Sequence, residues 1–244
     1  MNDQVHPTRS NAESLIFELK SLVERFDFRF WFPKDQPVEV ELGSGDSGFI
    51  VERARLNPDR NFVGVERLLG RLRKLDRKGR RLGLTNLRGV RIEAAYCLEY
   101  LLPLGKVECL HVYFPDPWPK RRHRHRRLVN ERFPSLARWV LVPGGRIYLR
   151  TDDTGYLEQM RSVFAANAEF RECETPNDIA HMTTEFEREF LAAGKRVWRL
   201  AYQCISNVDH RTVSTTSVNR AAVSSAPLPD DPAAGPSSEK IHSK

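Results

Sequence analysis

The feature that most constrains the fold is a regular alternation of two hydrophobic periods along residues 38–204. Short apolar runs typical of β-strands are followed in turn by longer segments with the period of an α-helix. Repeated strand and helix units of this kind favour parallel strands joined by crossover helices. The sequence therefore predicts an α/β, doubly wound, mostly parallel sheet. Seven strands are expected, at residues 38–42, 61–65, 87–92, 107–114, 146–150, 170–173 and 197–204.

Two flanking segments are expected outside this domain. Within residues 1–37, Leu15, Leu19 and Phe26 recur at helical spacing, which predicts an N-terminal helical arm. Residues 206–244 contain few large apolar side chains and are rich in Ser, Thr, Pro and Ala, so they are predicted to form a disordered tail. The α/β domain is thus expected to extend over residues 38–205.

The charge of the chain is positive and unevenly distributed. The net charge is +7 over 244 residues, and the pI is near 9.4. One basic cluster lies on the predicted helix 68–82, whose leucine stripe is expected to face the core while its basic side chains face solvent. A second cluster is the run 121–127. Clusters of this kind favour a polyanionic partner.

The composition also bears on the cellular compartment. Residues 1–10 lack the apolar region of a signal peptide, and no apolar run approaches membrane-spanning length. The four cysteines are scattered without Cys-x-x-Cys spacing, which indicates reduced thiols rather than disulfides or a zinc site. We therefore expect a soluble, cytoplasmic protein with no membrane partner. The sequence leaves open whether it is a monomer or a homodimer.

The first predicted strand leads directly into the glycine-rich segment Gly43-Ser-Gly-Asp-Ser-Gly48, which matches G-x-G-x-x-G. The match alone is weak. However, Glu66 ends the next strand about twenty residues on, where it could accept hydrogen bonds from ribose hydroxyls. This context indicates a cofactor that contains a nucleoside, although a tight turn without a ligand is the alternative. A dinucleotide is disfavoured because Glu41 would repel a pyrophosphate, whereas it could suit the cationic end of S-adenosylmethionine.

The stretch His111-Val-Tyr-Phe-Pro-Asp-Pro-Trp-Pro-Lys120 ends the fourth predicted strand. Its prolines cannot donate ladder hydrogen bonds, so Asp116 and Trp118 are expected in a stiff turn at the carboxyl end of the strand. Open α/β sheets bind their ligands at that edge. A carboxylate and an aromatic face beside a dense cationic segment suit a nucleobase whose phosphate backbone is held nearby. Trp118 is either a stacking platform for a base or an inward anchor for the turn, and the anchor is slightly favoured.

The basic run that follows reads Arg-Arg-His-Arg-His-Arg-Arg with almost no acidic residue nearby. An anion would relieve this repulsion, so contact with phosphates is preferred to a solvated helix face. No metal is expected at His123 and His125, because no cysteine or carboxylate completes a site and the flanking arginines disfavour a cation. The predicted contacts to an RNA backbone are Arg121, Arg122, Arg124 and Arg126.

Several motifs follow one another along the domain, and their order and spacing are informative. They are Glu41-Leu-Gly-Ser-Gly45, Phe62-Val-Gly-Val-Glu66, Asn86-Leu-Arg88 with Glu93-Ala94, Phe114-Pro-Asp-Pro-Trp118 with Lys120, Arg122 and His123, Pro143-Gly-Gly145, Thr151-Asp152 and Thr184-Glu-Phe-Glu187. Over about residues 38–200 this set resembles the bacterial tRNA (guanine-N7-)-methyltransferases. The resemblance implies a class I methyltransferase with a Rossmann-like sheet. It also implies transfer of a methyl group from S-adenosyl-L-methionine to N7 of the guanine at position 46 in the variable loop of tRNA.

The resemblance further implies which residues form the site. The cofactor, S-adenosyl-L-methionine, would be bound by Glu41, Gly43, Gly45, Glu66, Glu93 and Asp116. The tRNA partner would be contacted by Lys120, Asp152, Thr184, Glu185, Phe186 and Glu187. Asp116 is the candidate catalytic residue, because a carboxylate beside the base could stabilise the positive charge that develops on guanine. Asp152 is the candidate acceptor for the Watson–Crick edge of guanine, unless it only caps the following helix.

Three positions depart from the usual pattern of this family. Ser47 stands where a third glycine is usual, Glu93 replaces an aspartate, and Glu189 occupies a position that is usually basic, next to Arg188. Two rival functions are also open at this point. One is an amino-directed methyltransferase, because Asp-Pro-Trp-Pro resembles the motifs that hold exocyclic amines. The other is an RNA-binding protein without catalytic activity.

Overall fold

The computed structural model describes residues 14–205, and an eight-stranded sheet lies at its centre. In chain order the strands are β1 (Ile16–Phe17), β2 (Val38–Leu42), β3 (Asn61–Val65), β4 (Leu87–Val90), β5 (Val107–Tyr113), β6 (Leu141–Thr151), β7 (Phe170–Glu172) and β8 (Trp198–Cys204). Their order across the sheet is β1-β4-β3-β2-β5-β6-β8-β7. The strands from β1 to β6 are mutually parallel, whereas β8 is antiparallel to both of its neighbours.

Helices connect the strands, and the predicted α/β doubly wound fold is confirmed. They are α1 (Gly48–Leu56), α2 (Leu69–Arg81), α3 (Ala94–Tyr96), α4 (Phe133–Val140), α5 (Thr154–Ala165), α6 (Asn177–Ala180) and α7 (Glu185–Ala192). A π-helical turn, Cys97–Leu101, continues α3, and two 3-10 helices span Phe28–Phe30 and Arg121–Arg126. The helix expected to include Leu128 begins only at Phe133, with a proline in its first turn.

The N-terminal segment differs from the prediction. In place of an amphipathic helix over residues 15–26, the chain forms strand β1, which pairs with β4 and raises the strand count from seven to eight. Asp76 accepts hydrogen bonds from the Leu15 backbone amide at 2.7 Å and from the Ser14 hydroxyl at 3.2 Å. In the strand, α2 and β4 supply hydrogen-bond partners for the backbone of this segment. A short helix would have to form its backbone hydrogen bonds without such help, so the tertiary contacts override the weak helical pattern.

The aromatic residues that follow β1 join the main core. Phe26 and Trp31 are buried, and the ring of Phe17 stacks on that of Trp31 with 4.0 Å between centroids. The segment therefore packs on the domain, as the sequence suggested, but without the expected helix. Residues 1–13 and the predicted tail 206–244 lie outside the described residues, so the proposed domain boundaries stay a prediction.

Helix α2 packs unusually close to the sheet. Its Leu75 lies against Gly64 of β3, where an added Cβ atom would come within 2.6 Å of the leucine side chain. Leu72 lies equally close to Gly89 of β4, at 2.7 Å. Only glycine leaves room for these leucines, which are fully buried. The other two leucines of the predicted stripe, Leu68 and Leu82, are largely exposed at the helix ends.

The parallel strands deliver one set of loops to one edge of the sheet. Strand β2 lies between β3 and β5, and its Glu41 is in register with Gly64 on one side and His111 on the other. The chain leaves β2 toward one neighbour and returns on the other, which makes this the switch point where such sheets form a crevice. The segments after β2, β3, β5 and β6 meet there.

Two further findings concern the residues described. Within residues 14–205 no helix is both long and apolar enough to span a bilayer. All four cysteines lie within the described residues as free thiols, and Cys97, Cys109 and Cys204 are buried.

Candidate active site

The glycine loop after β2 turns sharply at the switch point. The amides of Gly43 and Ser44 both donate to the Val65 carbonyl at 2.9 Å, which ties the loop to the end of β3. Gly43 and Gly45 have φ of 85° and 53°, a left-handed conformation that favours glycine. Ser47 also has a left-handed φ, 65°, which explains why a glycine would be the less strained residue at that position.

Glu66 is held beside this loop by two backbone amides. Its Oε2 accepts from Gly45 at 3.1 Å and its Oε1 accepts from Leu68 at 2.8 Å. The side chain is buried, so these bonds fix the orientation of the carboxylate. Each oxygen retains acceptor capacity for a further donor, such as a ribose hydroxyl.

Glu41 lies in the same crevice. The negative charge of its carboxylate is not neutralised by an ion pair among the described residues. Its side chain is buried, and its Oε2 has no hydrogen-bond partner among the described residues. Burial raises the pKa of the Glu41 carboxyl well above its usual range, and the nearby Asp46 adds to this effect. A buried acceptor of this kind is costly unless a ligand satisfies it.

Glu93 has a local structural role as well as a place at the crevice. It is the N-cap of α3, and its carboxylate accepts a hydrogen bond from the Tyr96 amide at 2.8 Å. An N-cap carboxylate satisfies a free helical amide and is stabilised by the helix dipole. One oxygen accepts this bond, and the side chain also borders the crevice.

The turn after β5 is fixed by a buried arginine that the sequence reading grouped with the exposed basic run. Arg127 donates to the Pro117 carbonyl at 2.7 Å, to the Gly155 carbonyl at 3.1 Å and to Gln159 at 2.9 Å. Its guanidinium lies 4.6 Å from the centre of the Tyr156 ring. These contacts join the proline turn to the N-terminal part of α5, and so they position the exposed carboxylate of Asp116.

Trp118 lies where the proline turn meets the basic run. It is half-buried with φ of 41°, and the Arg126 guanidinium lies 5.2 Å from its ring centre. The His123 ring packs edge-on against it at 5.8 Å. Trp118 therefore anchors the 3-10 helix Arg121–Arg126 and also presents part of its ring to the crevice.

The motif Thr184-Glu-Phe-Glu187 lies at the beginning of helix α7. The Thr184 hydroxyl accepts a hydrogen bond from the Glu187 amide at 3.0 Å, which is the capping pattern expected from Thr-x-x-Glu but missed in the sequence. Glu187 itself is fully buried between Arg150, at 2.6 Å, and Arg199. This ion-pair cluster anchors α7 over the crevice.

Helix α7 presents two aromatic rings to the crevice. Phe186 lies above the glycine loop, since a Cβ atom on Gly45 would be 3.5 Å from its ring. Phe190 packs edge-on against Phe114, with 5.3 Å between ring centres. Just beyond the helix, Lys195 lies 3.4 Å from the carboxylate of Asp152. Together these groups cover one side of the crevice.

The crevice encloses a volume of about 750 Å³, which is within the usual size of a small-molecule site. Of the residues predicted from the sequence, Glu41, Gly43, Gly45, Glu66, Glu93, Asp116, Arg126, Asp152, Thr184 and Phe186 line it. The other predicted residues, Lys120, Arg121, Arg122, Arg124, Glu185 and Glu187, do not. Their assigned roles in binding tRNA stay predictions.

Comparisons with known proteins identify the family of the chain. A family model described as "Putative methyltransferase" matches residues 35–200. The tRNA (guanine-N(7)-)-methyltransferase of Chromohalobacter salexigens is 34% identical over 178 residues, which are 70% of this chain and 72% of that protein. The chain belongs to this methyltransferase family.

A second relative and a solved structure extend the comparison. The tRNA (guanine-N(7)-)-methyltransferase of Paenarthrobacter aurescens is 41% identical over 145 residues, which are 59% of this chain but only about half, 48%, of that protein. The crystal structure of the 16S rRNA methyltransferase KamB has a TM-score of 0.53 with 21% identity, over 73% of this chain and 92% of that one. The structural likeness confirms the class I methyltransferase type of fold.

Several residues that line the crevice of this methyltransferase were not predicted from the sequence as part of the site. Phe49, Arg71, Tyr113, Phe114, Phe190 and Lys195 also line the crevice. Phe114 was visible as the first residue of the proline motif, and Phe190 lies four residues after Phe186, one helical turn on. No sequence signal indicated Lys195, because it reaches the crevice only through the turn that ends α7.

Proposed function

We propose that this methyltransferase transfers a methyl group from S-adenosyl-L-methionine to N7 of the variable-loop guanine in tRNA. The observation that carries the proposal is that one crevice combines the glycine loop, the unpartnered Glu41, the oriented Glu66 and the proline turn with Asp116. The names of the relatives support the same substrate and the same atom.

The residues present fit the methyl donor. Glu41 offers a buried carboxylate oxygen without a partner, which suits a cationic group. Glu66 is oriented by the Gly45 and Leu68 amides and can accept ribose hydroxyls. Glu93 lines the wall beside it, and Phe186 covers the glycine loop. These groups bind the donor and exclude water from it.

When bound, S-adenosylmethionine supplies a sulfonium methyl group, and its transfer breaks the sulfur–carbon bond, forms a bond to guanine N7 and leaves the positive charge on the base. N7 has an in-plane lone pair and no proton, so the chain needs no general base. Its task is to align the base with the donor, which is catalysis by proximity and orientation. Asp116, held at the crevice by the turn that Arg127 fixes, stabilises the positive charge on guanine.

Asp152 is the proposed acceptor for the N1 and N2 donors of guanine. It follows the carboxyl end of β6 and lines the crevice, and its carboxylate lies 3.4 Å from the Lys195 amine. Its alternative role as a helix cap is taken by its neighbour, since Asp153 accepts the hydrogen bond from the Tyr156 amide at 2.7 Å. This leaves the Asp152 carboxylate available to a base.

The tRNA backbone is proposed to bind along the 3-10 helix Arg121–Arg126 and the preceding Lys120. Arg121, Arg122, Arg124 and Arg126 are exposed, and no acidic side chain forms an ion pair with any of them within the described residues. The substrate is proposed to be held also by Phe186 together with Thr184, Glu185 and Glu187. Glu187 acts indirectly, because its ion pairs fix the position of α7.

The deciding experiment is transfer of labelled methyl from S-adenosylmethionine to unmodified tRNA, followed by borohydride and aniline treatment, which cleaves at 7-methylguanosine. Label with cleavage at a single variable-loop guanine is the expected result. An Asp116→Asn variant should bind the donor but transfer far more slowly, and the exposed Glu158→Gln is its matched control. Label without cleavage, or continued labelling of tRNA in which the target is 7-deazaguanosine, would contradict transfer to N7.

A further inference from the structure

The outer face of helix α2 is the second concentration of positive charge on the described residues. Arg73, Lys74, Arg77 and Arg81 are all exposed there. Arg73, Arg77 and Arg81 recur every four residues, so they form one row along the helix, and Lys74 lies beside that row. At 1.5 Å per residue the row extends over about 12 Å.

The charges on this face are not balanced by the fold. Asp76 is the one acidic residue of α2, and it is engaged by Ser14 and Leu15 and lies 3.7 Å from Arg80. Lys78 pairs with Asp46. Among the described residues no acidic side chain lies within ion-pair distance of Arg73, Lys74, Arg77 or Arg81.

Several exposed arginines on other surfaces of the domain are paired with acidic residues close in sequence or in the fold. Arg29 pairs with Asp27, Arg55 with Glu52, and Arg132 with Glu99. Unpaired rows of like charge occur on α2 and on the 3-10 helix Arg121–Arg126. Four like charges held along little more than two turns of a rigid helix repel one another, and an anionic partner relieves that repulsion.

The position of α2 relates this face to the crevice. Leu68, at the start of the helix, and Arg71, in its first turn, line the crevice together with Trp118 and Arg126 from the other side. Strands β3 and β5, which lead to these two segments, are both neighbours of β2 and are therefore about 10 Å apart. The crevice thus lies between the start of α2 and the 3-10 helix, while Arg73, Lys74, Arg77 and Arg81 continue along α2 outside the crevice lining.

The glycine contacts of α2 fix which side faces solvent. Because Leu72 and Leu75 fit only against Gly64 and Gly89, the helix cannot rotate to bury its charges. Between the terminal leucines, the exposed positions carry no apolar side chain that could enter a bilayer. The chemistry of the face therefore suits a phosphodiester backbone rather than a lipid surface.

We propose that Arg73, Lys74, Arg77 and Arg81 form a second contact with the phosphate backbone of the tRNA, on the side of the crevice opposite the 3-10 helix Arg121–Arg126. This inference rests on the proposed function, since it assumes that tRNA is the substrate. Two phosphate contacts, one on each side of the crevice, fix the direction in which the RNA crosses it, so that the target guanine enters between them.

The test compares two variants with the same change in net charge. The α2 variant replaces Arg73, Lys74, Arg77 and Arg81 with Gln. The control variant replaces Lys20, Lys34, Lys106 and Arg161 with Gln, which are exposed cations that do not line the crevice. Binding of tRNA is measured from 50 to 300 mM salt, and methyl transfer is measured at rising tRNA concentration.

For the α2 variant we expect at least a tenfold rise in the Kd and KM for tRNA, with S-adenosylmethionine affinity and kcat at saturating tRNA kept. The slope of log affinity against log salt should flatten by about 2.8 to 3.6, which corresponds to four lost phosphate contacts. The control variant should lose little affinity and keep the slope. Equal losses in the two variants would overturn the inference, because they would show an effect of net charge alone.

A second measurement does not depend on substitution. Acetylation of lysines in the wild-type protein, read by mass spectrometry, should be slowed at Lys74 by bound tRNA but not at Lys34 or Lys106. Equal protection of all three, or of none, would contradict a contact on α2. If the wild-type protein methylates tRNA but Lys74 stays reactive, only this inference fails, whereas no binding and no methylation by the wild type would overturn the proposed function itself.

Discussion

Strand β2 carries two buried glutamates two residues apart, and the surroundings of the two are opposite. Arg53 donates to both oxygens of Glu39, at 3.2 and 2.9 Å, and His111 lies 2.9 Å away. Burial alone would raise the pKa of Glu39, but the hydrogen bonds from His111 and Arg53 hold it at about 2. Glu41 has no partner for Oε2 among the described residues, and burial raises its pKa well above the usual range.

The fold neutralises the negative charge of Glu39 with neighbouring side chains, but it does not do so for Glu41. Burial lowers the pKa of His111, so its ring is neutral, and it bridges Glu39 and the Tyr113 hydroxyl, 2.8 Å away. The negative charge of Glu39 is therefore balanced by Arg53 and by Arg60, which lies 3.4 Å from the same carboxylate. Glu39 contributes to stability, whereas the charged form of Glu41 becomes favourable only when a cationic ligand is beside it.

The largest expected effect is the loss of stability when Glu39 is replaced. Glu39→Gln leaves the buried Arg53 with only Asp178, at 2.7 Å, so the free energy of unfolding should fall by about 3 to 5 kcal/mol. Urea unfolding at neutral pH measures this. Glu52→Gln is the matched control, because it removes the same charge from an exposed pair with Arg55 and should have a much smaller effect. Similar losses of unfolding free energy in the two variants would show that the buried pair contributes no more to stability than the exposed one.

The pH dependence of that loss sharpens the comparison. The pKa of Glu39 is lowered, so its contribution to stability is present above about pH 4.5 and is lost as the pH falls toward 2. A shift of this size corresponds to roughly 3 kcal/mol. The difference in unfolding free energy between the wild type and Glu39→Gln should therefore close over that range. A difference that stays constant with pH would show that packing, not charge, is responsible.

The next effect is the loss of cofactor affinity when Glu41 is replaced. Glu41→Gln should weaken S-adenosylmethionine binding by about 1.5 to 3 kcal/mol, or roughly 10- to 150-fold, as measured by calorimetry. Unlike Glu39→Gln, it should not destabilise the free protein. Because the pKa of Glu41 is raised, the wild type loses stability as the pH rises above about 4.5, so the variant should be the more stable protein at pH 8. A destabilised variant with unchanged affinity would make Glu41 structural.

The smallest effect is expected at the rim of the crevice. Lys195 and Asp152 form a partly exposed pair at 3.4 Å, which should contribute less than about 1 kcal/mol to stability. Lys195→Met should therefore change urea unfolding little, while it frees the Asp152 carboxylate and alters the KM for tRNA. An unchanged KM would indicate that Asp152 does not exchange Lys195 for the substrate.

Much of the fold and the centre of the site could be predicted from the sequence, because both follow from local patterns. The strand ends, the glycine loop and the proline turn are each encoded in fewer than about ten consecutive residues, and parallel topology brings them together. Glu41, Glu66 and Asp116 were found in this way. Their shared crevice follows from the strand order.

The missed features depend on contacts between distant segments. Strand β1 forms beside Asp76, about sixty residues away, which accepts a hydrogen bond from the amide of Leu15 just before the strand, and no local period reveals this contact. Glu187 was predicted to contact the substrate from its motif, but its burial between Arg150 and Arg199 depends on two strands that the motif does not contain. Similarly, the lack of a hydrogen-bond partner for Oε2 of Glu41 depends on which side chains the fold places around it, and the local sequence does not show this.

The buried position of Arg127 also bears on how this segment could change during evolution. The first six residues of the basic run, Arg121–Arg126, lie at the surface, where one cation can replace another and keep the same positive charge. Arg127 holds three fixed acceptors on two elements, a planar arrangement that lysine cannot reproduce. Selection would therefore act on the first six residues as a group, through their summed charge, and on the seventh as an individual.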